Sequence, residues 1–220
     1  MDEQQKKNVE GWDALANQFD ESANRAEYFA ADWMRKHVEE IGNMLGCRVL
    51  DLGCGPGVNI KALREHHAGI RADGVDISPK MIEQARATGA YQNLYVQNLD
   101  HPLSGVASDE FDLAIAFGFL EFLTDVYVCL SECNRALKTN GMLWATFRRF
   151  EAGDAFSPPR VVGDELKQIG HSASEILHMA KRLKMKVLNL DTAVGYVTSN
   201  GFAVPYYVLQ ARKMAIPRSS

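Results

Sequence analysis

Two periodicities alternate along most of this chain. Short segments at residues 47–52, 71–77, 94–97, 111–117, 142–147, 187–190 and 206–211 read as strands, and 111–117 has the continuous apolar character of a strand covered on both faces. Between them the apolar residues recur at helical spacing. One such stretch is 58–65. A second opens at Ser78-Pro79, a capping hydroxyl followed by proline at the first helical position, and carries Met81, Ile82 and Ala85 on one face. A third opens at Thr124-Asp125, with Val126, Cys129, Leu130, Cys133 and Leu137 inward. It is expected to run to Lys138, a cation near its carbonyl end, and to stop at Asn140-Gly141. Ser172-Ala-Ser-Glu175 has the form of a capping box and predicts a helix to Leu183.

Ahead of the first strand, residues 1–24 are polar with Trp12, Leu15 and Phe19 as spaced anchors. Residues 25–44, with Phe29, Trp33, Val38 and Ile41, form an amphipathic helix pattern. Strands alternating with helices predict a doubly wound α/β fold with a seven-stranded, mostly parallel sheet. The expected organisation is a single domain over 1–220. It comprises an N-terminal helical cover (1–45), a core (46–147), and a variable segment with the C-terminal strands (148–220). Within the last part, 151–171 differs in composition, carrying Gly153, Pro158, Pro159, Gly163 and Gly170.

Length and charge narrow the field modestly. A chain of 220 residues holds one full hydrophobic core and is short for two. The net charge of -4, from 24 basic and 28 acidic residues, gives no general pull toward nucleic acid. Cys129 and Cys133 share a helix face without a matching pair, a poor zinc site; buried, reduced thiols are expected, and no metal. No apolar stretch is long enough to insert in a membrane, and a cytoplasmic location is expected.

The chemistry concentrates in nine residues, Val49-Leu-Asp-Leu-Gly-Cys-Gly-Pro-Gly57. They read as a strand that delivers Asp51 into a glycine turn; a second strand delivers Asp76 in Gly74-Val-Asp-Ile-Ser78. A glycine triplet alone also fits a tight turn with no ligand. An acid at the second strand end, however, suits the hydroxyls of a ribose. A dinucleotide site expects glycine at position 58, which is Val, and its pyrophosphate would lie close to Asp51. A cofactor carrying an ammonium and a sulfonium reverses that objection, since carboxylates attract cations in a poorly screened cleft. S-adenosyl-L-methionine has both groups and no phosphate.

The segment 49–57 resembles motif I of the class I S-adenosylmethionine-dependent methyltransferases. The resemblance continues through Gly-Val-Asp76-Ile-Ser-Pro-Lys-Met81-Ile, Glu110-Phe-Asp-Leu, Phe119-Leu-Glu121-Phe-Leu and Arg135-Ala-Leu-Lys-Thr-Asn-Gly141, spanning about residues 12–147. It implies a Rossmann-like methyltransferase fold with S-adenosyl-L-methionine as cofactor and S-adenosyl-L-homocysteine as product. By the same resemblance Asp51, Gly53, Cys54 and Gly55 would face the methionine portion and Asp76 the ribose, with Ile77 and Met81 bordering adenine. Asn98, followed by Leu99, would meet the adenine amino group through its amide oxygen, with Asp100 as the alternative. Phe117 would approach the methionine side or serve as plain core.

Two departures stand out. Where many relatives carry Leu-Glu-His, this chain has Leu120-Glu121-Phe122, and the common Lys-Pro-Gly-Gly is Lys138-Thr-Asn-Gly141. The expected reaction is methyl transfer to a small organic acceptor by in-line displacement, which alignment and desolvation can largely accomplish without an obligatory base. The alternatives are methylation of an RNA base or a protein side chain, or cofactor binding without catalysis. Catalytic residues stay unassigned. Candidates are Glu121 and His101, with Arg148 or Arg149 as binders of an acidic acceptor, while His171 and His178 read as solvated. Trp12, Phe19 and Tyr28 are expected to fold over the cofactor and 151–171 to form the other wall. The acceptor itself and the oligomeric state have no signature in the sequence.

Overall fold

A computed structural model describes residues 3–16, 29–41, 46–154, 157, 160–162 and 167–215. Phe19 and Tyr28, and Pro158, Pro159 and Gly163 of the variable segment, lie outside the described residues. The strands are β1 (Arg48–Leu52), β2 (Arg71–Asp76), β3 (Asn93–Val96), β4 (Phe111–Ala116), β5 (Leu137–Arg148), β6 (Val161–Val162), β7 (Gln168–Ile169), β8 (Met185–Val197) and β9 (Ala203–Lys213). Seven of them form one sheet in the order β3-β2-β1-β4-β5-β9-β8, and β6 and β7 pair as a separate two-stranded ribbon. All neighbours from β3 to β5 run parallel; β9 is antiparallel to both β5 and β8.

The helices are α1 (Glu3–Leu15), α2 (Ala30–His37), α3 (Val58–His66), α4 (Pro79–Ala87), α5 (Val126–Ala136) and α6 (Ala173–Arg182). Because successive strand residues face opposite sides, β1 buries Val49 on one face and Leu50 and Leu52 on the other. Val49, Leu113, Ile115 and Trp144 pack with Trp33 and Met34 of α2 and Ile60 and Leu63 of α3. Leu50, Leu52, Ala114 and Leu143 pack with Leu130 and Cys133 of α5 and Ile176 of α6. Trp33 stands edge-on to Trp144 at 5.0 Å and to Phe117 at 5.5 Å, which ties α2 to the sheet.

Helix starts follow local chemistry. Ser78 Oγ accepts from the Met81 N–H at 3.1 Å, with Pro79 next to it. Asp125 accepts from Tyr127 N–H at 2.9 Å, and Ser172 and Glu175 exchange capping-box bonds. The end of α5 differs from expectation: the helix stops at Ala136, and 137–141 already belong to β5. There Asn140 adopts φ 68°, and the pairing with β4 slips between Phe111 and Leu113, so the Asn-Gly step serves a strand irregularity and no helix end. Lys138 holds Asp112 at 2.7 Å instead of the helix carbonyls. The last two strands are also far longer than the expected 187–190 and 206–211. β8 is half exposed, and its polar residues, such as Asn189, Asp191 and Thr192, break the apolar run that marks a strand covered on both faces.

Among the described residues no helix is long and apolar enough to cross a membrane, and no cluster of three or more His, Cys, Asp or Glu side chains could hold a metal ion. None of the four cysteines forms a disulfide.

Candidate cofactor and acceptor site

In an open parallel sheet the loops leaving neighbouring strands diverge where strand order reverses, here between β1 and β4. A cavity of about 400 Å³ opens at that point, over the carboxyl ends of the strands. Its wall is built by Gly53–Asn59 after β1, Asp76, Ile77 and Met81 after β2, Asn98–Asp100 after β3, and Phe117–Leu123 after β4, with few exceptions in each loop. Tyr196 of β8, Tyr206 of β9 and Gln168 of β7 close one side, and Asn8, Trp12 and Leu15 of α1 another. Thus nine of the ten sequence candidates, Gly53, Cys54, Gly55, Asp76, Ile77, Met81, Asn98, Leu99 and Phe117, share one wall.

Asp51 is the exception. It is completely buried behind the turn, where its Oδ2 accepts from the Tyr91 hydroxyl at 2.8 Å and its Oδ1 from Asn59 Nδ2 at 3.2 Å. Burial pushes its carboxyl up to about 7, aided by the nearby charge of Asp76 and opposed by those two hydrogen bonds. Its charge therefore reaches the cavity through Asn59 and the glycine turn, and not by direct contact. Tyr91, in the loop between α4 and β3, has no local signal in the sequence that would have singled it out.

Asp76 is held by backbone. Its Oδ2 accepts from Gly55 N–H and its Oδ1 from Ser78 N–H, each at 2.9 Å. Burial still raises its carboxyl above the ordinary value. The Ile77 N–H also favours the ionised form, and of a carboxylate's roughly four lone-pair positions capacity remains for a ligand hydroxyl. Two of the wall glycines, Gly53 and Gly55, do different work. A Cβ on Gly53 would sit 2.3 Å from the Phe119 ring, so the bare backbone there seats an aromatic side chain. A Cβ on Gly55 would meet nothing within 4 Å, leaving that backbone open to a ligand.

Asn98 departs from the expected polarity. Its Oδ1 already accepts from Asp100 N–H at 2.9 Å, and its buried Nδ2 has no partner. It thus offers a donor, suited to a ring nitrogen rather than to the adenine amino group. Asp100 is itself engaged, accepting from Thr124 N–H at 2.7 Å and Asp125 N–H at 3.2 Å to hold the start of α5.

On the far side, Glu121 is 2% exposed. Its Oε1 accepts from the Tyr206 hydroxyl, and its Oε2 has no partner. Burial raises its carboxyl, opposed by that hydrogen bond, by its own backbone N–H and by the charge of Arg148. Phe122, the residue where relatives carry histidine, stands edge-on to Trp12 at 5.1 Å, so the position secures α1 over the cavity. Asp13 of the same helix accepts from Ser78 Oγ at 2.5 Å, a second tie. The remaining candidates fall outside the cavity wall. His101 and His178 are exposed, Arg149 binds Asp154 at 2.8 Å and Tyr207 at 3.2 Å, and Arg148 is buried. His171 is not solvated: it is half-buried against Phe147, and burial lowers its pKa.

Residues 50–145 match the family model described as a methyltransferase domain. A crystal structure of SAM-dependent methyltransferases from Methanosarcina mazei superposes with a TM-score of 0.65 at 18% identity, covering 78% of this chain and 94% of that one. The chain has the class I S-adenosylmethionine-dependent methyltransferase fold.

A ubiquinone biosynthesis O-methyltransferase from Xanthomonas oryzae is 28% identical over 127 residues, which is 56% of this chain and 51% of the relative. A malonyl-[acyl-carrier protein] O-methyltransferase from Legionella pneumophila is 32% identical over 100 residues, 45% of this chain and 35% of the relative. The alignments thus span about half or less of these curated relatives. The matched segment, 50–145, surrounds the glycine turn. The α1 cover and the strands β8 and β9, which supply Trp12, Tyr196 and Tyr206, lie beyond it.

Proposed function

We propose that this protein transfers a methyl group from S-adenosyl-L-methionine to a small organic acceptor, releasing S-adenosyl-L-homocysteine, and that 1–220 acts as one methyltransferase domain. The observation that carries the reading is the half-satisfied wall after β1, β2 and β3. There Asp76 has lone pairs to spare, the Gly55 backbone is uncovered, and the Asn98 amide holds an unpartnered buried donor. These suit, in turn, ribose hydroxyls, a close-packed ligand chain and an adenine ring nitrogen.

The cofactor, when bound, supplies a methyl carbon made electrophilic by positive sulfur. The residues of this chain bind, orient and dry the site. Asp76, joined by Asp51 as it loses its proton near pH 7, makes the turn electronegative where a sulfonium and an ammonium are favoured, and Trp12 with Phe122 limits water entry from the α1 side. Enclosure by aromatic side chains fits an organic acceptor better than a nucleic-acid strand, and the ubiquinone-pathway relative is consistent with that class.

Calorimetric titration of the full chain tests the reading. Saturable heat with S-adenosyl-L-homocysteine and none with NADH is expected. Isotope-labelled cofactor incubated with a metabolite extract should then yield a labelled small molecule by mass spectrometry. Binding of NADH, or no binding of either compound, removes the reading.

A further inference from the structure

The cavity extends well past the glycine turn. From β2 to β9 it crosses four strand spacings, roughly 19 Å at about 4.8 Å per strand. The β1–β3 end carries Asp76, Gly55 and Asn98. The β4–β9 end carries Glu121, Tyr206, Tyr196, Gln168 and Phe117, and nothing in the cofactor reading uses Glu121. A carboxylate 2% exposed with one oxygen lacking any partner is costly unless something completes it.

We propose that Glu121 and Tyr206 form the acceptor subsite, which takes a flat, uncharged molecule presenting a hydroxyl or N–H donor to Glu121 Oε2. This rests on the methyltransferase reading for the word acceptor, though the binding chemistry stands by itself. Three observations select that ligand. The walls are aromatic: Tyr196 and Tyr206 lie edge to face at 6.2 Å, and Phe117 also lines the cavity. Tyr206 already fills Oε1 with a neutral donor, so the vacancy at Oε2 is for one more donor. The Arg148 charge already acts on Glu121, so the carboxylate has a cation near it and does not call for a cationic ligand. An anionic ligand would set two carboxylates together. The position of Tyr206 is itself set by shape: it packs over Gly195, where a Cβ would lie 2.2 Å from the ring.

The test compares three ligands of one ring system on the full chain: β-naphthol, its methyl ether and β-naphthoate. Wild type should bind β-naphthol about ten-fold or more tighter than either of the others, the size of one hydrogen bond to a charged acceptor. In Glu121→Gln the amide N–H serves the ether and the hydroxyl alike, and the naphthol-to-ether ratio should fall to about one. Tyr206→Phe keeps the carboxylate and should keep the preference. S-adenosyl-L-homocysteine should bind both variants as it binds wild type.

Equal binding of the ether to wild type, tighter binding of the naphthoate, or no binding of any of the three overturns the proposal. So does a ten-fold loss of S-adenosyl-L-homocysteine affinity in Glu121→Gln with the naphthol preference intact, which would assign Glu121 to the cofactor's ammonium. If wild type selects β-naphthol but does not bind S-adenosyl-L-homocysteine, the subsite stands and the methyltransferase reading fails.

Discussion

Asp76, the last residue of β2, and Glu121, beyond β4, are both buried carboxylates on the wall of one cavity, yet they are satisfied in opposite ways. Asp76 accepts from backbone N–H groups, from Ser78 two residues on and from Gly55 21 residues back, both fixed once β1 and β2 pair and the helix start forms. Glu121 has a single side-chain partner, Tyr206, on a strand 85 residues away, and one oxygen left over. The first end is preorganised by backbone geometry, and its surplus lone pairs suit a ligand common to a whole fold. The second end depends on β9 meeting the loop after β4, a contact set by the strand order of the whole sheet. The aligned segment 50–145 contains Asp76 and Glu121 but not Tyr206 or Tyr196, which agrees with that division.

The largest expected effect concerns Asp51, behind the first end. Its carboxyl is raised from an ordinary 3.8 to about 7 in the folded protein. The native state therefore holds a proton that the unfolded chain releases, and the associated stability is complete below about pH 4 and lost as pH rises to about 7. The loss is on the order of a few kcal/mol. Asp51→Asn should flatten this dependence, raising Tm relative to wild type at pH 8 and leaving it equal or lower at pH 5. A variant that tracks wild type across that range would show that burial does not govern the group.

Next, Asp76→Ala should weaken S-adenosyl-L-homocysteine binding by about 1–3 kcal/mol through lost ribose hydrogen bonds. It should also lower Tm, because the Gly55 and Ser78 N–H groups lose their acceptor. Unchanged affinity by calorimetry would put the adenosine elsewhere. The paired variants Gly53→Ala and Gly55→Ala sharpen the division within the turn. Both place a side chain at positive φ, 62° and 51°, which costs about 1–2 kcal/mol each. Only at Gly53 does the new Cβ also drive into Phe119, so Gly53→Ala should be the less stable of the two by about 1 kcal/mol or more in denaturant melts. Equal midpoints would mean that Phe119 yields freely. Smallest of all, Arg149→Ala breaks a partly exposed pair with Asp154 and should cost under about 1 kcal/mol, with no change in ligand affinity. A ten-fold affinity loss there would return Arg149 to the site.

Legibility in the sequence followed range. The Ser78-Pro79 and Ser172/Glu175 helix starts and the strand-turn-helix around Gly53 and Gly55 were readable because each is decided by bonds within a few residues. Where expectation and structure part, the deciding contact lies farther off. Lys138 looked like a helix terminus, but its partner is Asp112 on the neighbouring strand, and the chain leaves the helix two residues earlier. Asn98 is an exception, since the N–H that takes its oxygen comes from Asp100, only two residues on. β8 was nearly missed because a half-exposed strand carries polar residues that erase a buried strand's signature.

By itself the sequence determined the class of fold, the turn on which a cofactor can lie and the residues lining that turn, since strand period, caps and glycine spacing are short-range properties. Only the tertiary structure decided that Asp51 sits behind the wall against Tyr91, that Phe122 clasps Trp12, and that Glu121 meets Tyr206. Those pairs are 40, 110 and 85 residues apart. Their meeting depends on the strand order and on where α1 docks, which no local pattern of hydrophobic and polar residues encodes.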